Sequence, residues 1–141
     1  MDSLPGEPRD HMDALLRVLV PFAQRSLDEH GTFFPFGASM APDGEVEALV
    51  GQTSARTPPP DEVLELLYVG LRARAAAGEL LAAAIATDVT IPQGEWREGI
   101  RVELEHRDAD PITCVLPYRE GDEGYDYGTL VALTGQRRTW D

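Results

Sequence analysis

Residues 99–118, GIRVELEHRDADPITCVLPY, decide the reading of this chain. Ile100, Val102, Leu104 and His106 alternate with Arg101, Glu103, Glu105 and Arg107, the period-two pattern of a strand with one face in a core and the other in water. Asp108-Ala109-Asp110-Pro111 has the composition of a turn. After it Ile112, Cys114, Leu116 and Tyr118 resume the alternation, so the stretch reads as an antiparallel hairpin. Acids alternate with arginines on the charged face, which is expected to be solvated and to form cross-strand ion pairs.

Working outward, residues 80–91 (LLAAAIATDVTI) form a nearly continuous apolar run that turns to alternation, as a central strand does. Downstream, REGDEGYDYG (119–128) reads as a long loop, residues 129–134 as a last strand, and the remainder as a short arginine and tryptophan tail. Upstream, residues 60–77 place Val63, Leu66, Leu67, Gly70, Leu71 and Arg74 near one helical face. Acids at the start, arginines towards the end and Gly78 as a stop support this helix, and Gly70 is expected to admit a close neighbour.

The stretch HGTFFPFGASMAPDGEVEALVG (30–51) predicts strands at 33–39 and 45–50 around the turn Ala41-Pro42-Asp43-Gly44. Pro35 has no ladder donor, which argues for an edge or bulge there. Within that strand Phe34 and Phe36 share one side and Phe33 takes the other. Residues 52–60, with TPPP, read as an extended connection. In residues 12–30, Leu15, Leu16, Leu19, Ala23 and Leu27 recur at helical steps; Pro21 predicts a kink near 17–21 or two short helices, and Gly31 a stop. Residues 1–11 read as a flexible N-terminal tail and 12–141 as a single domain. The fold expected is α+β: two helices packed on one face of a mainly antiparallel five-stranded sheet, in the order α-β-β-α-β-β-β.

That element order resembles roadblock and related profilin-like domains, and the resemblance implies a small scaffolding or sensing module. The segment Phe34-Pro35-Phe36-Gly37, in a chain of this length and order, is similar to one found in small uncharacterised bacterial proteins. That likeness implies no activity.

Composition excludes several chemistries. The chain has 141 residues, 43% of them hydrophobic, enough for one core without a disulfide or a structural metal. Its one cysteine, Cys114, cannot form an internal bridge, which fits a cytoplasmic protein. The start has no basic and apolar leader pattern, and no apolar run approaches the roughly 18 residues of a membrane span. A net charge of −13 disfavours nucleic acid. All 12 basic residues are arginine, and lysine and asparagine are absent, which removes Schiff-base chemistry and a phosphate-loop lysine.

His11, His30 and His106 are scattered and show no metal-ligand spacing, and no motif implies a cofactor. His106 and Cys114 facing each other across the hairpin would be a thiol–imidazole pair, although counting from the turn leaves them out of register. Asp28, Glu29 and His30 at a helix end could supply acid and base, against a simple capping role for the histidine. The candidate binding surface comprises Phe34, Phe36, Tyr118, Arg119, Tyr125 and Tyr127. The function expected is a non-catalytic acidic protein-interaction or regulatory module, pairing with itself as a homo-oligomer or with a basic protein, and with neither nucleic acid nor membrane. The alternative is a small-molecule sensor or enzyme with a pocket near residues 33–37, Tyr118 and Arg119 contacting an anion.

Overall fold

The computed structural model describes residues 7–50, 59–91 and 95–140. The expected extended connection at 52–60 and the first six residues of the expected tail lie almost wholly outside these. Among the described residues the order is α1 (Pro8–His30), β1 (Phe36–Met40), β2 (Val46–Val50), α2 (Pro60–Ala76), β3 (Ala82–Thr90), β4 (Glu98–His106), β5 (Ala109–Gly121), β6 (Gly124–Tyr127) and β7 (Val131–Thr134). All pairings are antiparallel.

The α+β class and the antiparallel sheet are as expected, but among the described residues there are seven strands, not five. The sheet runs β2-β1-β3-β4-β5-β6, and β7 also pairs with β5. Of the two strands beyond five, β7 falls in the stretch read as a last strand and β6 comes from the stretch expected to be a loop. Arg119, Glu120 and Gly121 close the end of β5 and pair with β6 through a tight turn at Asp122-Glu123. Gly124 takes a φ of +120° there, a conformation side chains rarely adopt.

The two helices do not share a face. Met12, Leu15, Leu19, Ala23 and Leu27 of α1 pack on Ala82, Ala84 and Ala86 of β3 and on Ile100, Val102 and Leu104 of β4. Val63, Leu67, Tyr68 and Leu71 of α2 pack instead on Ala83 and Ile85, the residues between. Side chains alternate along a strand, so α1 and α2 lie on opposite sides of β3. Burial on both sides is why β3 has no polar alternation over Ala82–Ala86, where every residue is buried. Its alanines keep both helices close to the sheet.

Helix α1 begins at Pro8, four residues before the periodic stripe, where Asp10 accepts a hydrogen bond from the Glu7 N–H (3.0 Å). It continues through Pro21 to Gly31, whose φ of +76° and N–H to the Leu27 carbonyl (2.8 Å) end it. In α2 the buried stripe is rotated from the one expected. Tyr68 is 1% exposed, Leu66 is exposed, and Gly70 faces open space with nothing within 4 Å. The rotation turns the Tyr68 hydroxyl onto the sheet.

Pro35 stands just before β1, so its missing N–H costs the ladder nothing. β1 is consequently an interior strand between β2 and β3, and β2 is the edge. Gly37 permits this: a Cβ there would lie 2.4 Å from the Ala84 carbonyl oxygen.

Candidate functional site

The sheet face under α2 carries the feature least expected from alternation. Glu103 and Glu105, expected in water, are 7% and 3% exposed. A buried carboxylate needs hydrogen-bond donors around it, and here they come from α2, from the segment after β7 and from Arg101 of β4, whose Nη2 lies 3.5 Å from Glu103 Oε1. The Tyr68 hydroxyl donates to Glu103 Oε2 (3.0 Å), and Arg138 Nη1 reaches the same oxygen (3.3 Å). Glu105 accepts the backbone N–H of Arg138 at Oε1 (2.8 Å) and that of Thr139 at Oε1 and Oε2 (3.0 and 2.9 Å). Burial first, and then the Glu103 carboxylate, push the Tyr68 phenol far above its usual value, so it remains a donor. The Arg138 guanidinium lies over the Tyr68 ring, 4.6 Å from its centroid.

Beyond Ile85 the same face continues uncovered. Val89, Ile91, Val115, Pro117, Val131 and Leu133 line an open groove of about 560 Å³ that also includes Arg101. Val131 and Leu133 are 46% and 55% exposed, a large apolar exposure for side chains adjacent on one sheet. Among the described residues, α2 and Trp140 cover the part of the face around Ala83 and Ile85, and Val131 and Leu133 stay exposed.

A second cleft, of about 420 Å³, lies at the end of the sheet and gathers Tyr118, Arg119 and Tyr125 with Thr32, Asp88 and Glu98. Its polar groups are largely satisfied from within. Asp88 accepts from Tyr118 (2.5 Å) and Thr32 (3.1 Å). Arg119 pairs with Glu95 (3.6 Å) and Asp126 (3.8 Å) and stacks on Trp96, 4.4 Å from the ring centroid. Burial, ahead of the hydrogen bond to Asp88, pushes the Tyr118 phenol far up. Tyr127 and Tyr125 are also raised, chiefly by burial, and the Tyr127 hydroxyl is buried without a hydrogen-bond partner among the described residues.

The six residues expected to form a binding surface therefore separate. Tyr118, Arg119 and Tyr125 meet at this cleft, with Tyr127 against Tyr118 (6.4 Å between centroids). Phe34 and Phe36 are elsewhere and do not share a face. Phe36 is 8% exposed and belongs to the α1 core, with Phe22 and Phe33 against its ring, while Phe34 is 53% exposed. The strand begins at Phe36, so period-two alternation does not extend back to Phe34. Phe33 and Phe36 are thus packed in the α1 core and Phe34 is exposed.

The thiol–imidazole pair does not form. The hairpin turns on Arg107-Asp108, not on four residues, which sets His106 opposite Ala109 and Cys114 opposite Val102. Burial pushes the Cys114 thiol up, away from reactivity. His106 meets His11 instead, with Nε2 3.1 Å from His11 Nδ1 and the rings 15° from parallel. The Asp108 N–H donates to His106 Nδ1 (3.0 Å), so the His106 proton sits on Nε2 and points at His11. Sequence gave no sign of this contact, because His11 lay in the expected tail.

Burial, then the His11 ring, hold His106 below the usual histidine value; Arg107 and Arg137 act in the same direction and Asp108 opposes them. A histidine with a depressed folded pKa is neutral in the fold while the unfolded chain protonates near pH 6.5, so its contribution is complete above that pH and declines as pH falls towards the folded value. Urea midpoints are accordingly expected to fall between pH 7.5 and 5.5, and to fall less in His106→Gln. Equal slopes in both proteins would refute this origin.

No helix among the described residues is long and apolar enough to cross a membrane. The sequence matches no protein-family model, and comparisons with curated proteins and with solved structures find no match.

Proposed function

We propose that the chain is a non-catalytic protein-interaction module that docks a basic protein on the open half of its sheet. The observation that carries this reading is the exposure of Val131 and Leu133 beside Val115 and Pro117. Water contact with that surface costs about 25 cal/mol per Å², and a partner removes it. The net charge of −13 selects the occupant: it draws a basic protein into encounter and repels a second copy at long range. Consistent with a binding role, Asp88 and Glu105 are already satisfied by the fold's own donors, and the Cys114 thiol is buried.

Leu133→Glu tests the reading. Leu133 is exposed on a four-residue strand, so melting is expected to change by no more than about 0.5 kcal/mol equivalent, while retention of a basic partner in a pull-down drops about tenfold or more. Raising the salt should weaken retention further. Undiminished retention by Leu133→Glu, or a mass that grows with concentration and reverts in Leu133→Glu, would remove the basic-partner reading, the latter in favour of a second copy.

A further inference from the structure

The segment following β7 is held as a ligand is held. It crosses the β4–β5 turn, where Arg137 donates to the Ala109 carbonyl (2.7 Å), and then lies on the α2 face without joining the sheet. One stretch of its backbone is gripped from both directions. Glu105 takes the N–H groups of Arg138 and Thr139, and Arg72 Nε donates to the Arg138 carbonyl (2.8 Å). These bonds recognise a main chain of any sequence. Selectivity comes from the flanking side chains: the Arg138 guanidinium enters a site made by the Glu103 carboxylate and the Tyr68 ring, and Trp140 packs on the apolar cluster that includes Val63, Leu67 and Ile85. Between them Thr139 is 7% exposed, and its hydroxyl has no hydrogen-bond partner among the described residues.

We propose that this groove is a peptide-recognition site for an arginine-Xaa-tryptophan segment of a basic partner protein, occupied in the resting chain by its own Arg138-Thr139-Trp140. Glu103 has donors in the Tyr68 hydroxyl (3.0 Å) and Arg101 (3.5 Å), whereas the donors to Glu105 are the Arg138 and Thr139 N–H groups, so the groove favours an occupant that brings free backbone N–H groups to Glu105 and adds a cation beside Glu103. An incoming segment supplies the same set. Exchange of residues 138–140 breaks no strand pairing, since β7 ends at Thr134 and the last backbone bond to β5 is from the Gly135 N–H to the Pro111 carbonyl (3.0 Å). The inference is independent of the open half of the sheet: peptide binding should persist in Leu133→Glu.

The probe is the peptide Gly-Gln-Arg-Arg-Thr-Trp-Asp, the sequence of residues 135–141, titrated by fluorescence anisotropy into the full chain and into a full chain carrying Arg138→Ala and Trp140→Ala. In the unsubstituted chain the tethered segment competes at an effective concentration in the millimolar range, so the double variant should bind the peptide at least about tenfold more tightly. A peptide with alanine at its second arginine or at its tryptophan should lose about tenfold or more. Equal binding by the two proteins, with the double variant retaining its circular dichroism, would overturn the proposal, as would equal binding of the alanine peptides. Should the double variant fail to fold, hydrogen exchange on the unsubstituted chain decides: excess peptide accelerates exchange at the Arg138 and Thr139 amides if it displaces the resident segment, and unchanged exchange refutes it. Concentration-dependent dimerisation that the free peptide abolishes would overturn the assignment to another protein in favour of a second copy.

Discussion

Gly37→Ala is expected to cost about 3 kcal/mol, the upper part of the range for overpacking a tight interior, and to lower the melting temperature by roughly 10 °C. The added Cβ would lie 2.4 Å from the Ala84 carbonyl oxygen and 2.7 Å from Ile85 Cδ1. The isoleucine tip can rotate away. The carbonyl cannot, because it belongs to β3, which is paired with β1 on one side and β4 on the other and packed between two helices. Relief therefore requires β1 to part from β3 along a ladder in which Gly37 stands opposite Ile85. Gly70→Ala is the control, since that glycine lies within α2 with nothing within 4 Å. It should stabilise by about 0.5–1 kcal/mol through helix propensity. Thermal or urea melts of the two variants check both signs, and a Gly37→Ala melt within a degree or two of the parent would show that β1 is not seated this closely on β3.

Glu105→Ala is expected to cost about 3 kcal/mol. Its carboxylate accepts from two backbone N–H groups, and a buried donor left without an acceptor costs about 1–3 kcal/mol. Glu105→Gln keeps one acceptor oxygen and should lose roughly half as much. Hydrogen exchange separates this effect from general loosening: the Arg138 and Thr139 amides should lose protection first, while amides in β3 stay protected to the global limit. A cost below about 1 kcal/mol for the alanine variant would mean that the segment after β7 is not anchored through this carboxylate.

Legibility of the fold followed the range of the interactions. The α1 stripe was readable because Leu15, Leu19, Ala23 and Leu27 repeat at the helical period and all bury against one face of the sheet. The even-numbered face of β4 was readable for the same reason at period two. The apolar run at the start of β3 also held the information that both faces are covered, since a strand with one wet side alternates and this one does not. Placing both helices on one face left that run unexplained. The hairpin of β5 and β6 was lost behind a polar loop composition: Glu120, Asp122, Glu123 and Asp126 read as solvent, while the pairing of Tyr118 with Tyr127 depends on their spacing about a turn at Asp122-Glu123.

The candidate sites were legible only in part. Tyr118, Arg119 and Tyr125 were singled out and do meet at one cleft. Phe34 and Phe36 were grouped by alternation, which applies only within a strand, and Phe34 precedes β1. The buried Glu103 and Glu105 were invisible because an acid alternating with arginine has the signature of a wet face, whatever later packs on it. Their cover comes from residues 138–140, more than thirty positions along the chain.

By itself the sequence determined much of the local geometry, namely the helical stripe of α1, the alternation of β4 and the apolar run of β3, together with a net charge of −13. Those properties follow from backbone periodicity and from summed charge, both of which are written in order along the chain. Only the tertiary structure decided which faces are covered: α1 and α2 on opposite sides, His11 against His106, Arg138 over Tyr68, Trp140 on the α2 cluster, and, among the described residues, Val131 and Leu133 left exposed. Burial is a property of what packs on a residue, and contacts between positions as far apart as 11 and 106 leave no periodic trace in either segment.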